Sequence, residues 1–210
     1  MKVLIIGATG GTGKQLVEQA LDRNYNVTAF VRKPSKLKIK HDRLKILQGN
    51  VLDLDSLNKA VAGQDVVLCA LGHKRWLHPT KILSEGTRNI ITAMEKNNLK
   101  RFICETSLGI GNSFGKMGLY YTFFVIPFIL QFYFWDKYRQ EKIIQSSNLD
   151  WTIVRPGVLT NGSAKGKYKH GSKIGNWFYT VKISRADVAS FMLDQIEEKT
   201  YLNSSPGLCW

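Results

Sequence analysis

The chain has 210 residues, 44% of them hydrophobic and 22% charged. Those values belong to an ordinary globular protein with a full core and exclude a disordered or fibrous chain. The formal net charge is +14, which suits an anionic cofactor, substrate or surface, although a solvated basic exterior satisfies it equally.

The first element is the apolar run Val3-Leu-Ile-Ile6, read as a buried strand over 2–6. It leads into Gly7-Ala-Thr-Gly10-Gly-Thr-Gly13 and then into helical spacing at Leu16, Val17, Ala20 and Leu21, read as a helix over 12–23. A strand turning sharply into a helix aims free backbone N–H groups and the positive helix end at one spot, which suits a pyrophosphate. Gly7 permits the turn, Gly10 permits close approach of the phosphates, and Gly13 permits close helix–strand packing. The spacing differs from G-x-G-x-x-G and from the P-loop. With a strand starting at residue 2, no leader peptide is expected.

The next strand is predicted over 26–31 and ends in Val31-Arg32-Lys33. An acid there would bind the two ribose hydroxyls of NAD. Two cations favour a 2′-phosphate, so NADP is expected and NADPH should be preferred over NADH through Arg32 and Lys33. A strand over 44–48 precedes Asp53, which suits either an adenine amino group or the N-cap of a helix over 55–62. Strands follow at 65–70, 101–106 and 151–155, with helices at 80–97, about 128–147 and 185–197. Ser184 and Asp187 form a capping-box-like start for the last helix. Residues 157–176 read as loops or a short hairpin.

Residues 118–135 hold no charge, and with Phe114 they contain ten of the 23 aromatic residues. The stretch is short for a membrane span and is interrupted by Pro127 and Gln131. The expectation is a pair of short helices, broken at Pro127, that cover the sheet and wall a substrate pocket. A helix lying in a membrane interface is the alternative. Between Asp150 and Asp187 there is no acid at all. Cys69, Cys104 and Cys209 have no metal or redox spacing, and neither do the four histidines, so no metal is expected and a reducing cytoplasm fits. His73 reads as either a pocket residue or a solvated loop residue.

The alternation of strands and helices predicts an α/β chain: one domain over 1–210 built on a doubly wound parallel sheet with helices on both faces. Ligands of such sheets lie at the carboxyl ends of the strands. The loop Gly7–Gly13, Val31-Arg32, Asn50-Val-Leu-Asp53, Ser84-Glu-Gly-Thr-Arg-Asn89, Glu105-Thr-Ser107 and Leu149-Asp-Trp-Thr-Ile-Val-Arg-Pro156 together resemble the atypical short-chain dehydrogenase/reductase proteins that bind NAD(P). The likeness is to the NmrA-like and biliverdin-IXβ (flavin) reductase-like group, and Pro79–Met94 looks especially like the latter.

The resemblance implies a Rossmann-type sheet and cofactor contacts at Gly7, Thr9, Gly10, Gly11, Thr12, Gly13, Arg32, Lys33, Asp53, Ala70, Leu71, Gly72, Thr106 and Pro156. It also implies a substrate pocket over about 107–183. Family members use a Ser or Thr with Y-x-x-x-K, whose spacing puts phenol and ammonium on one helix face. Two such pairs occur, Tyr133/Lys137 and Tyr138/Lys142. Five residues rotate a helix by about 140°, so only one pair faces the nicotinamide. Family register favours Ser107, Tyr133 and Lys137. The leading expectation is an NADPH-dependent reductase of a planar or anionic acceptor such as a flavin, quinone or bilin. The alternative is a non-catalytic NADP-binding sensor or assembly factor that uses 118–135 as a partner or membrane surface. No nucleic-acid module is recognisable.

Overall fold

The computed structural model describes residues 1–73 and 78–210. The first half alternates β1 (Lys2–Ile6), α1 (Gly11–Asp22), β2 (Asn26–Val31), β3 (Leu44–Gln48), α2 (Leu54–Val61), β4 (Val66–Cys69) and α3 (Ile82–Lys96). The second half contains β5 (Arg101–Glu105), the short α4 (Ile126–Phe128), α5 (Gln131–Gln145), β6 (Asp150–Pro156), β7 (Val158–Thr160), β8 (Lys169–Gly171), β9 (Lys182–Ser184), α6 (Arg185–Asp194) and β10 (Gly207–Cys209).

Eight strands form one sheet in the order β3-β2-β1-β4-β5-β6-β10-β8. All neighbours are parallel except β8, which runs antiparallel to β10. The winding direction reverses between β1 and β4, and that reversal opens a crevice at their carboxyl ends. Side-chain alternation along β1 builds both layers. Val3 and Ile5 join Leu16 and Val17 of α1 and Val188 and Met192 of α6. Leu4 and Ile6 join Leu57 of α2, Ile90 and Met94 of α3, and Ile144 of α5 on the other face. This is the Rossmann-type α/β sheet expected from the sequence.

Two expectations are corrected. Residues 157–176 are mostly loop, as one of the two readings had it, but not a hairpin: β7 pairs in parallel with β9, and β8 pairs with β10. Both partners come from far along the chain, so no local turn signal marks the pairing. Nor does the helical path break at Pro127. Residues Tyr121–Val125 form a π-helical turn that runs into α4, and the break comes at Ile129 and Leu130, whose amides both donate to the Val125 carbonyl at 3.0 Å. Pro127 lies inside this continuous helical run, directly after the π-helical turn. The segment also leaves most of its aromatic rings exposed instead of laying them on the sheet. Thr122 is buried, while Tyr120, Phe123, Phe124 and Phe128 face solvent.

Candidate functional site

The glycine loop lies in the crevice between β1 and β4. Gly7 has φ +84°, and a Cβ there would lie 2.4 Å from the Ala70 carbonyl oxygen. A Cβ on Gly13 would lie 2.1 Å from the Gly7 carbonyl oxygen, so backbone alone fills the space and only glycine fits. The Gly10 amide closes the turn by donating to the Gly7 carbonyl at 2.9 Å. Helix α1 starts at Gly11. Among the described residues no side chain caps it, and its first turn holds no acid. Its amides and positive end therefore face outward at the loop, a cradle that fits a pyrophosphate. Thr9 lies on the loop, and Thr12 is buried and donates to Glu105 Oε1 at 3.0 Å, tying the cradle to the end of β5.

Arg185 completes this corner and was not singled out by sequence reasoning. A Cβ on Gly11 would lie 2.4 Å from Arg185 Cδ and 2.5 Å from Nε, so the arginine stem crosses the glycine loop. Its Nη1 donates to Asn161 Oδ1 at 2.6 Å. The signal was indirect: Arg185 is the first residue of α6, fixed by the Ser184 cap, and α6 packs on α1.

Arg32 and Lys33 are exposed directly after β2, where a 2′-phosphate would arrive. Asp53 caps α2, its Oδ1 accepting from the Asp55 and Ser56 amides at 3.0 and 3.3 Å. The helix-cap reading is therefore realised, and the carboxylate stays exposed at the end of the β3 loop.

Ala70, Leu71 and Gly72 follow β4, and Thr106 and Ser107 follow β5. Pro156 ends β6, and its carbonyl accepts from the Leu108 amide at 2.9 Å. Ser107 is half-buried, and its Oγ donates to the Leu108 carbonyl at 3.0 Å. Tyr133 reaches this group: its hydroxyl is 3.6 Å from where a Cβ on Gly72 would sit. The His73 ring meets Tyr133 edge-on at 5.0 Å between centroids, and His73 Nε2 is 3.0 Å from Thr80 Oγ1. Lys137, one turn after Tyr133, is buried. Its Nζ lies 5.4 Å from the Tyr133 ring centroid and donates to the Glu105 carbonyl at 3.2 Å.

Burial opposes the Lys137 charge, but nearby Tyr133, Cys104, Glu105 and Cys69 outweigh it and hold the ammonium above the ordinary lysine range. Burial raises the Glu105 carboxyl against the pull of Lys137, the Thr12 hydrogen bond and Arg185. The second candidate pair faces elsewhere. Tyr138 and Lys142 border a separate cleft of about 770 Å³ with Trp151, Arg155 and Tyr201, and no glycine-loop residue lines it.

The inward face of α5 is polar, which sequence reasoning did not foresee beyond Lys137. Asp136 accepts from the Leu83 and Ser84 amides at 2.9 and 3.1 Å and from Ser84 Oγ at 2.5 Å, capping α3 from outside. Gln140 donates to Thr87 Oγ1 at 2.9 Å. Glu141 binds Arg155 through two contacts of 3.0 and 2.6 Å and accepts from Thr106 Oγ1 at 2.6 Å. Periodicity points to apolar faces and is blind to such a helix.

Comparisons with known proteins agree with this geometry. A protein-family model described as NAD(P)H-binding matches residues 7–199. An uncharacterized chloroplastic protein of Arabidopsis thaliana, At2g34460, is 33% identical over 178 residues, which is 79% of this chain and 61% of that protein. The divinyl chlorophyllide a 8-vinyl-reductase of the same plant is 26% identical over 232 residues, covering 97% of this chain and 52% of the enzyme. The chain thus spans about half to three-fifths of the length of these two relatives. Among solved structures, the anaerobillin reductase ChuY of Escherichia coli O157:H7 superposes with a TM-score of 0.81 at 24% identity, covering 100% of this chain and 97% of that one. With the cradle, the sheet order and the matched family in agreement, the chain belongs to the NAD(P)H-binding family.

Proposed function

We propose that the chain is an NADPH-dependent reductase acting on a planar acceptor such as a flavin, quinone or bilin. The observation that carries the reading is the buried Lys137 one turn from Tyr133, at the mouth of the dinucleotide crevice. Desolvating an ammonium costs several kcal/mol. Dinucleotide binding alone is served by the loop and the surface cations, so a buried ammonium beside a phenol points to chemistry.

The residues divide the work by position. The α1 amides and Arg185 hold the pyrophosphate, and Arg32 and Lys33 select the 2′-phosphate. Ser107 orients the reacting rings. A bound reduced nicotinamide supplies the hydride. Lys137 holds the ribose, and the Tyr133 phenol beside it can pass a proton to an acceptor oxygen. Acceptors that take their proton from solvent need only the positioning groups. The acceptor pocket draws on residues about 107–183, and the three buried, unpaired thiols suit a reducing, cytoplasm-like compartment. A relative named for reducing a chlorophyllide, itself a flat macrocycle, supports a planar acceptor.

The deciding experiment is an NADPH-oxidation screen with flavins, quinones and bilins. Turnover with at least one acceptor, slowed by Lys137→Met, is the expected result. Tight NADPH binding with no oxidation by any acceptor in the three classes refutes the proposal.

A further inference from the structure

We propose that the aromatic face built by residues 114–128 and 177–179 is a docking surface for an anionic lipid bilayer. The two segments are one surface. A Cβ on Gly115 would lie 2.3 Å from the Trp177 ring, and one on Gly118 would lie 2.7 Å from the Tyr179 backbone. Met117 bridges to Asn176, and Tyr120 stacks on Phe124 at 6.2 Å. Six of its rings are well exposed: Phe114 58%, Tyr120 63%, Phe124 61%, Trp177 50%, Phe178 73% and Tyr179 74%. At about 200 Å² per ring, these six alone present about 750 Å² of largely apolar surface. Monomeric proteins seldom expose a patch beyond about 600 Å². Phe123 and Phe128 enlarge it further.

Charge identifies the occupant. No carboxylate occurs between Glu105 and Asp136, or between Asp150 and Asp187, so neither patch segment carries one. The cations that flank the rings are Lys116, Lys173 and Lys182. Lys116 donates to the Ser172 carbonyl at 3.0 Å, which ties the two segments together, and Lys173 and Lys182 are exposed. A second copy of a +14 chain would bring like charge to the contact and be repelled. An anionic bilayer attracts it and accepts the rings. Tyr120, Trp177 and Tyr179 also have the amphipathic form that settles at headgroup depth. Among the described residues no helix is long and apolar enough to cross a membrane, so the contact is peripheral.

The test is co-sedimentation of the full chain with phosphatidylglycerol–phosphatidylcholine vesicles and with phosphatidylcholine vesicles alone. The expected result is partitioning at least about 10-fold stronger onto the anionic vesicles, weakened by salt. The triple variant Phe124→Ser/Phe178→Ser/Tyr179→Ser should lose about 10-fold or more of that binding while still binding NADPH. Should the triple variant fail to fold, quenching of wild-type tryptophan fluorescence by brominated lipid decides, and Trp177→Phe should remove most of it. Absence of binding to anionic vesicles, binding unchanged in the triple variant, or quenching unchanged in Trp177→Phe overturns the proposal. So does lipid-free self-association that the triple variant abolishes, which would assign the face to a second copy.

Discussion

Replacing Asp136 with alanine should destabilise the protein far more than loss of a surface acid. The carboxylate is 1% exposed and accepts from the Leu83 amide, the Ser84 amide and the Ser84 hydroxyl. Helix α3 has Lys81 at its N-cap and no capping side chain of its own among the described residues, so Asp136 of α5 performs that task from a neighbouring element. An ordinary cap contributes about 1 kcal/mol. Here two buried amides would also lose their acceptor, at about 1–3 kcal/mol each. Taking the lower half of that range, Asp136→Ala should cost about 3–5 kcal/mol, and Asp136→Asn, which keeps one acceptor oxygen, about half as much. Asp42→Ala, at an exposed loop position, should change stability by less than about 0.5 kcal/mol. Urea unfolding followed by circular dichroism at neutral pH measures all three. A cost below about 1 kcal/mol for Asp136→Ala would refute the reasoning, because the α3 terminus would then be satisfied by solvent.

Arg32→Ala should weaken NADPH binding about 10-fold or more and leave NADH binding unchanged, as titration calorimetry with both cofactors would report. Arg185→Met should weaken both cofactors by a similar factor, since its stem crosses the pyrophosphate cradle and not the 2′-phosphate end. Ser107→Ala should slow turnover about 10-fold, while Tyr133→Phe should slow flavin or quinone reduction by less. A dead Tyr133→Phe beside an active Ser107→Ala would mark a carbonyl or alcohol dehydrogenase instead. Burial opposes the Asp187 charge, but hydrogen bonds from the Gly166 amide, Trp210, Ser184 and the Lys165 amide hold its carboxyl below the ordinary range. Its folded value is thus lower than its unfolded one. The stability it adds is complete above about pH 4 and is lost as the pH falls toward the depressed value. Asp187→Asn should therefore be less stable than wild type at neutral pH, with the gap closing in acid, as thermal melts across pH would show.

Much of this was legible in the chain because the signals were local. The β1 run, the glycine loop and α1 lie within a few residues of one another, and six core strands fell close to their predicted positions. The expectation that only one of the two Tyr/Lys pairs faces the crevice came from helix rotation, and Tyr138 and Lys142 do border a separate cleft. What escaped depended on contacts distant in sequence. Strands β7 to β10 are three residues each and pair with remote partners, so neither alternation nor turn chemistry identifies them. Arg185 is one basic residue among many until α6 is laid against α1. The helical path runs through Pro127 and breaks only after α4, so the proline did not mark the break.

The polar inner face of α5 works like a key cut with several teeth. Asp136 engages α3, Lys137 the end of β5, Gln140 the middle of α3, and Glu141 the arginine on β6. Apolar side chains would tolerate sliding by a fraction of a turn, but four directional contacts to three elements do not. Sliding the helix or rotating it by one residue would unmake all of them together. The position of Tyr133 is therefore set by the inner face of α5 and not by the exposed rings of residues 114–128. Those rings can accumulate substitutions, and the protein can change what it touches there, without moving Tyr133.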